Sequence, residues 1–312
     1  MVSSKFQDLT IVIPTLNEAE VIGRVLDEVM SVGVPRDNVL IIDGGSTDGT
    51  VDIAKLRGVR VVMQEGRGKA DAIKTASKYV TTRYTLFMDG DYTYPAKFID
   101  ELYSKVREGY DLVIGWRLYG KESQPWIYRL GNKLLTSIFN ILFGTHLHDV
   151  LSGMYIVRTE VLKELMFETR GFGIESEIVA HVVSTSGKVN EVPIEYRKRL
   201  GKKKLSVKHG LQILREIIRL TWRYNPTFFI FTLGALLLIP GLILGAYVAY
   251  HYFFTGIKYY IKGLIAIILT LAGFQSSLLA ILTLYLKRWE QRMTRRLNEL
   301  QTNIKKIEGS EG

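Results

Sequence analysis

Phe87-Met88-Asp89-Gly90-Asp91-Tyr92-Thr93-Tyr94-Pro95 is the stretch on which the reading of this chain turns. Residues 84–88 form an apolar run of strand type, closing on two aspartates one residue apart. Strand alternation sends two such side chains to one side, and the strand's end releases them into a loop. Two hard carboxylate oxygens there suit Mg²⁺ or Mn²⁺, above all when substrate phosphates complete the ligand set. Taken alone, the pair is also compatible with a solvated loop or with a helix cap before Pro95.

Working outward, residues 10–16 read as an apolar strand, with Asn17-Glu18 opening a helix over 18–32. A strand over 38–42 ends in Asp43-Gly44-Gly45-Ser46-Thr47-Asp48-Gly49-Thr50, followed by a helix over 50–57. A third strand, 59–63, leads through Gly66-Arg67-Gly68-Lys69 into a helix over 69–81. A helix near 95–108 and a strand over 111–115 follow the aspartates. Strands alternating with helices predict an α/β domain with a parallel sheet covered on both faces. Ligands of such sheets sit beyond the carboxyl ends of the strands. Pro14, Thr15, Asp43, Asp89, Asp91 and Arg117 all fall there. The glycine-rich turns lack the Gly-Lys-Ser/Thr of a phosphate-cradling P-loop. Asp43 could meet a base or ribose, or merely shape a tight connection that Asp48 caps. Lys69 could meet phosphate or steady its loop.

The 312 residues lead to an expectation of about two domains. There is no cysteine, which excludes disulfides and thiolate metal sites. A net charge of +10 could suggest nucleic acid, but much of it clusters at 197–208, 215–223 and 287–296, beside apolar segments. Basic clusters in that position read as positive-inside flanks and lipid contacts, not nucleic-acid binding. Residues 227–250 and 263–286 are uncharged runs, each about 36 Å long as helix, enough to span hydrocarbon. The short link 251–262 makes them a hairpin. Its basic flanks, and an N-terminus without a signal-peptide pattern, predict a multi-pass membrane protein with residues 1–206 and the charged tail 287–312 in the cytoplasm. Two further apolar stripes, over 124–143 and 207–224, carry basic edges and tryptophans, so these helices are expected to lie in the bilayer interface.

A metal carboxylate pair at the head of a nucleotide-type sheet points to a diphosphate leaving group, and the interfacial helices point to a second substrate in the membrane. Arg117, Arg129, Lys133, Arg199 and Lys204 supply cations between the two. An acceptor that is already a phosphate anion needs no strong general base. His146, His148, His181 and His209 are therefore read as structural or solvated.

Together, Ile13-Pro14-Thr15-Leu16-Asn17-Glu18, Asp43-Gly-Gly-Ser-Thr-Asp-Gly-Thr, Gly66-Arg-Gly-Lys and Asp89-Gly-Asp91 resemble glycosyltransferase family 2, with its GT-A (Rossmann-like) fold. Gly115-Trp-Arg117, Arg129-Leu-Gly-Asn132, Asp149-Val-Leu-Ser152-Gly153, Gly171-Phe-Gly-Ile-Glu175-Ser-Glu177 and the basic run 196–206 narrow the resemblance to polyprenyl-phosphate glycosyltransferases, dolichol-phosphate mannose synthases among them. It covers about residues 8–210. The resemblance implies that Pro14, Thr15, Asn17, Glu18 and Gly90 line the nucleotide-sugar pocket with Lys69, and that Asp43 binds the base. Asp89 and Asp91 would hold Mg²⁺ or Mn²⁺ and the diphosphate. Arg117, Arg129 and Lys133 would bind the acceptor phosphate, and Glu177 would approach the sugar. Arg199 and Lys204 would close over the donor phosphates. It further implies inversion at the anomeric centre, with a dolichyl or other polyprenyl phosphate as acceptor.

Three departures stand out. Gly44 replaces a second aspartate found in many relatives, Thr93 replaces a glutamine frequent in the mannose synthases, and Glu175 resembles relatives using UDP-glucose or UDP-N-acetylglucosamine. These favour a UDP-sugar over GDP-mannose. A non-catalytic, membrane-tethered nucleotide-sugar subunit and a sugar-phosphate nucleotidyltransferase stay open as other classes, as does a homo-oligomer.

Overall fold

A computed structural model describes residues 5–120, 125–169, 173–200 and 207–308, which divide into two units, Met1–Leu220 and Thr221–Gly312. The first unit is built on a seven-stranded sheet. Its strands are β1 (Leu9–Thr15), β2 (Val39–Asp43), β3 (Arg60–Met63), β4 (Tyr84–Phe87), β5 (Leu112–Tyr119), β6 (Tyr155–Arg158) and β7 (Val189–Glu195), in spatial order β3-β2-β1-β4-β6-β5-β7. Every residue of β2 and β4 is buried, which is why both read as uninterrupted apolar runs. The helices α1 (Ala19–Ser31), α2 (Thr50–Leu56), α3 (Lys69–Tyr79) and α4 (Ile99–Arg107) connect or flank these strands.

The sheet is mixed, not parallel throughout. β6 enters antiparallel between β4 and β5, pairing Phe87 with Tyr155 and Ile114 with Tyr155 on its two sides. It is only four residues long, too short for a hydropathy pattern to announce. β7 is an edge strand, where Val192 and Ile194 are buried beside Asn190, Glu191 and Pro193. Its polar residues hide it in the sequence, and a proline is tolerated only because the strand is an edge.

The helix α5 (Trp126–Phe143) divides its apolar residues between two faces. Leu135, Phe139 and Leu142 are buried, whereas Trp126, Ile127, Leu130, Leu134 and Ile141 are exposed. The single expected stripe is thus two, one packed on the domain and one facing outward. Two short helices, α6 (Thr159–Glu164) and α7 (Ile174–Ser184), follow β6. α8 (Val207–Tyr224) likewise buries Ile213, Ile217 and Leu220 while exposing Leu211, Ile218 and Trp222.

In the second unit, α9 (Pro226–Tyr250) continues into a π-helical turn at His251–Thr255, and α10 (Tyr260–Glu308) returns as one helix of 49 residues. Residues Pro226–Thr255 and Tyr260–Glu290 are long and apolar enough to cross a membrane, with mean hydropathies of 2.4 and 2.2. The charged tail thus prolongs the second apolar helix without a break. Small residues let the two helices meet. A Cβ on Gly241 would stand 2.7 Å from the backbone nitrogen of Thr270, and one on Gly273 would collide with the backbone of Leu238. The Ser276 hydroxyl donates to the carbonyl of Ile230 across the seam at 2.8 Å. Because the chain lacks cysteine, cysteines placed at 230 and 276 should cross-link. Adding Gly273→Leu should abolish that cross-link, read on a non-reducing gel.

Candidate active site

Three parallel strands deliver the site. β1 and β2 end in register, with Thr15 opposite Asp43, and β4 stops just before Asp89. Asp43 is fully buried. Its carboxylate accepts hydrogen bonds from the hydroxyls of Thr15 (2.9 Å) and Ser46 (2.6 Å) and the backbone nitrogens of Gly45 (3.0 Å) and Ser46 (2.7 Å). Four donors fill a carboxylate's ordinary capacity. Asp43 therefore shapes the turn and presents no surface to a base, in contrast to the expected contact. Asn17, at φ 52°, accepts from the Thr47 nitrogen through its side chain and donates its own backbone N–H to Ser46, so the first two strand-end loops are laced together.

Asp89 and Asp91 lie near enough for the charge of the first to act on the second. Asp91 is buried, and its Oδ1 accepts from the Thr93 hydroxyl (2.5 Å) and nitrogen (3.2 Å). Burial first, and the neighbouring Asp89 charge second, push the Asp91 carboxyl above its ordinary range, although Arg199 pulls the other way. Two adjacent carboxylates in partial burial call for a further cation, and their hard oxygens fit Mg²⁺ or Mn²⁺. Among the described residues no third His, Cys, Asp or Glu joins them in a cluster suited to metal. The remaining ligands would come from substrate phosphate and water. Gly153 makes room here, since a Cβ on it would collide with the Asp89 carboxylate. Gly153→Ala should displace that carboxylate and weaken Mn²⁺ binding by about tenfold or more, measured by metal titration.

The loop that leaves these two aspartates is held under strain. Tyr92 adopts φ 68°, the left-handed region that costs an ordinary residue about 1–2 kcal/mol. Its hydroxyl donates to Glu28 at 2.9 Å, and the Arg197 guanidinium lies 4.6 Å from its ring centroid while pairing with Glu28 at 2.8 Å. Glu28, Arg197 and Tyr92 were not legible as site residues, being 64 to 169 positions apart. The segment after β7 is thereby strapped to the aspartate loop. Arg199 follows on that strap, 3.0 Å from Glu18 and 3.4 Å from Asp91. Its buried Nε has no hydrogen-bond partner among the described residues. Lys204 lies outside the described residues.

Lys69, the first residue of α3, does not point to open solvent. Its ammonium sits 2.6 Å from Asp89 and 2.6 Å from Glu175. Glu177, expected near the sugar, is fully buried and accepts the backbone N–H groups of Glu168 (2.8 Å) and Thr169 (3.0 Å). The carboxylate that reaches the aspartates' surroundings is Glu175, two residues earlier.

Beside this centre, Arg117 forms a two-pronged pair with Asp149 at 2.6 and 2.7 Å, and Asn132 donates to the same carboxylate at 2.9 Å. Burial alone would raise the Asp149 carboxyl, but Arg117 and Asn132 outweigh it and hold it below its ordinary range. Arg117, Arg129 and Lys133 line one open pocket of about 480 Å³, together with Trp116, Trp126 and His148. His148 stacks on Trp116 at 4.0 Å and its Nδ1 pairs with Glu191 at 2.8 Å, a structural use. Tyr94 and Tyr196, edge to face at 5.3 Å, link pocket and aspartates. The Tyr94 hydroxyl accepts from Gly153 at 2.7 Å, while the Arg117 guanidinium lies 5.5 Å from the Tyr196 ring centroid. The pocket also lies on α5, whose exposed apolar face begins at Trp126.

A sheet of this order, with paired carboxylates at its parallel strand ends, is of the GT-A type. The chain belongs to glycosyl transferase family 2, whose family model matches residues 10–166. It is 31% identical over 297 residues to glycosyltransferase AglJ of Haloferax volcanii, covering 93% of this chain and 97% of that one. It is 33% identical over 206 residues to a dolichyl-phosphate hexose transferase of the same organism, covering 66% of this chain and 90% of the relative. Among solved structures, a glucosyl-3-phosphoglycerate synthase from Mycobacterium tuberculosis, in complex with Mn²⁺, UDP and phosphoglyceric acid, shares the fold. Its TM-score is 0.58 at 22% identity, over 69% of this chain and 78% of that chain.

Proposed function

We propose that this glycosyltransferase moves a hexose from a nucleotide sugar, UDP-glucose or UDP-N-acetylglucosamine, to dolichyl or another polyprenyl phosphate at the cytoplasmic face of a membrane. The observation that carries this reading is the adjacency of two unlike sites. The aspartate pair at the strand ends, Asp91 buried and Asp89 partly exposed, suits a metal diphosphate, and next to it a cationic pocket opens beside an exposed apolar helix face. The relative named as a dolichyl-phosphate hexose transferase supports the acceptor, and the Mn²⁺ and UDP of the synthase structure support the donor and metal.

In this reading Asp89 and Asp91 hold Mg²⁺ or Mn²⁺, which when bound neutralises charge on the departing diphosphate. Pro14, Thr15, Asn17, Glu18 and Gly90 border the donor. Arg199, with its buried Nε directed to no partner among the described residues, turns toward the donor phosphates. Arg129 and Lys133, one turn apart on α5, grip the acceptor phosphate, with Arg117 fixed beside them by Asp149. The acceptor's phosphate oxygen attacks the anomeric carbon from the side opposite the diphosphate, forming the new C–O bond as the old one breaks. The attacking group is already an anion, so no side chain takes a proton. The exposed faces of α5 and α8 lie in the interface, and the two long apolar helices span the bilayer as a hairpin.

A panel of radiolabelled nucleotide sugars incubated with the full chain, Mn²⁺ and dolichyl phosphate tests the donor. Label from one UDP-sugar should enter the lipid phase. Label from GDP-mannose alone would keep the reaction and overturn the donor. Nucleotide binding without transfer from any donor would favour a non-catalytic subunit.

A further inference from the structure

Lys69 is shared between Asp89 and Glu175, 2.6 Å from each. Its side chain is 17% exposed and that of Glu175 only 6%. The hydroxyl of Tyr155, fully buried in the same neighbourhood, has no hydrogen-bond partner among the described residues. One ammonium therefore serves two carboxylates, the buried Glu175 and the partly exposed Asp89, which is half of the aspartate pair. Both contacts are made at once, so the single charge of Lys69 is divided between Glu175 and Asp89. An ammonium resting wholly on Asp89 would oppose a divalent cation at the same oxygens, by charge repulsion in a site of low effective dielectric.

From this geometry we propose that Glu175 and Lys69 are positioning residues that set the affinity of the aspartate pair for its divalent cation. The inference rests on the assignment of Asp89 and Asp91 as metal ligands. Glu175 takes a share of the Lys69 charge that would otherwise rest on Asp89 alone. Lys69 in turn supplies the positive charge that steadies Asp89 when no metal is present. Glu175 acts on the aspartate pair chiefly through Lys69, which contacts both it and Asp89. The phosphate contact expected of Lys69 is not its role here, because its ammonium is committed to the two carboxylates.

The test is Mn²⁺ titration of the full chain in detergent, without nucleotide, following free Mn²⁺ by electron paramagnetic resonance. Glu175→Gln, nearly isosteric, should weaken Mn²⁺ binding about tenfold, since Lys69 then falls onto Asp89. Lys69→Met should tighten it by a similar factor, a gain that a damaged fold would not produce. In the Lys69→Met background Glu175→Gln should change nothing further, because the residue through which Glu175 acts is gone. An equal loss in both backgrounds would overturn the proposal by showing that Glu175 meets the metal itself. Weaker Mn²⁺ binding by Lys69→Met, or a loss of metal-free UDP binding in that variant, would overturn it in favour of a phosphate-binding lysine. If Asp91→Ala bound Mn²⁺ as tightly as the wild type, the ligand assignment would fail, and with it this inference.

Discussion

Asp91→Ala is expected to lower transfer by about 10³-fold or more while leaving the fold standing. Neutralising a departing diphosphate contributes several kcal/mol to the transition state, and each 1.4 kcal/mol or so is tenfold in rate. Asp91 accepts two hydrogen bonds from Thr93 and lies near Arg199, so its removal exposes few unsatisfied groups. Its buried charge is disfavoured by desolvation and by Asp89, so alanine also relieves a repulsion. The melting temperature should hold or rise even as activity vanishes, a pairing common where a site trades stability for function. Initial rates and a thermal melt on one preparation measure both. A variant that lost activity and stability together would point to a structural aspartate.

The second large effect separates two arginines of the proposed acceptor pocket. Arg117→Ala leaves Asp149 buried and unpaired, at a cost of about 3–5 kcal/mol. In a unit of this size that lowers the melting temperature by about 10 °C. Arg117→Lys should recover only part of it, because an ammonium cannot match both carboxylate oxygens. Arg129→Ala removes an exposed cation and should leave stability unchanged while raising the KM for lipid phosphate about tenfold. The pair also leaves a pH signature. Asp149 is held below its ordinary range by Arg117 and Asn132, against the effect of burial. Its contribution is therefore complete above the unfolded value near pH 4 and is lost as pH falls through the lower folded value. Melting curves from about pH 5 down to about pH 2 should show that slope in the wild type and not in Arg117→Ala.

Much of this architecture could be read from residue order, and the misreadings have physical causes. β1, β2 and β4 are buried along their length and announce themselves as apolar runs. The aspartates were legible because they follow such a run directly. β6 and β7 were not, the one too short and the other polar at an edge. Glu175 and Glu177 are the instructive case. Two residues apart on a helix, they point about 200° away from one another, so only one can face the aspartates. Deciding which requires a polar face to orient the helix, and α7 has none, because residues 174–180 are buried throughout. The Lys69–Asp89 pair joins residues 20 positions apart on different elements, and no periodicity records it. The cations on α5 were legible because they ride at helical spacing beside an apolar face, half of which the domain then buries.

The most direct measurement is the fate of the lipid itself. Full-length protein in detergent would be incubated with dolichyl phosphate, UDP-glucose or UDP-N-acetylglucosamine, and Mn²⁺, and the extracted lipid analysed by mass spectrometry with and without chelator. The expected product is dolichyl phosphate heavier by one sugar residue, formed with a β linkage from the α-linked donor and absent when the metal is removed. Sugar released into water while the lipid phosphate stays unchanged, or a lipid product formed undiminished in chelator, would contradict it.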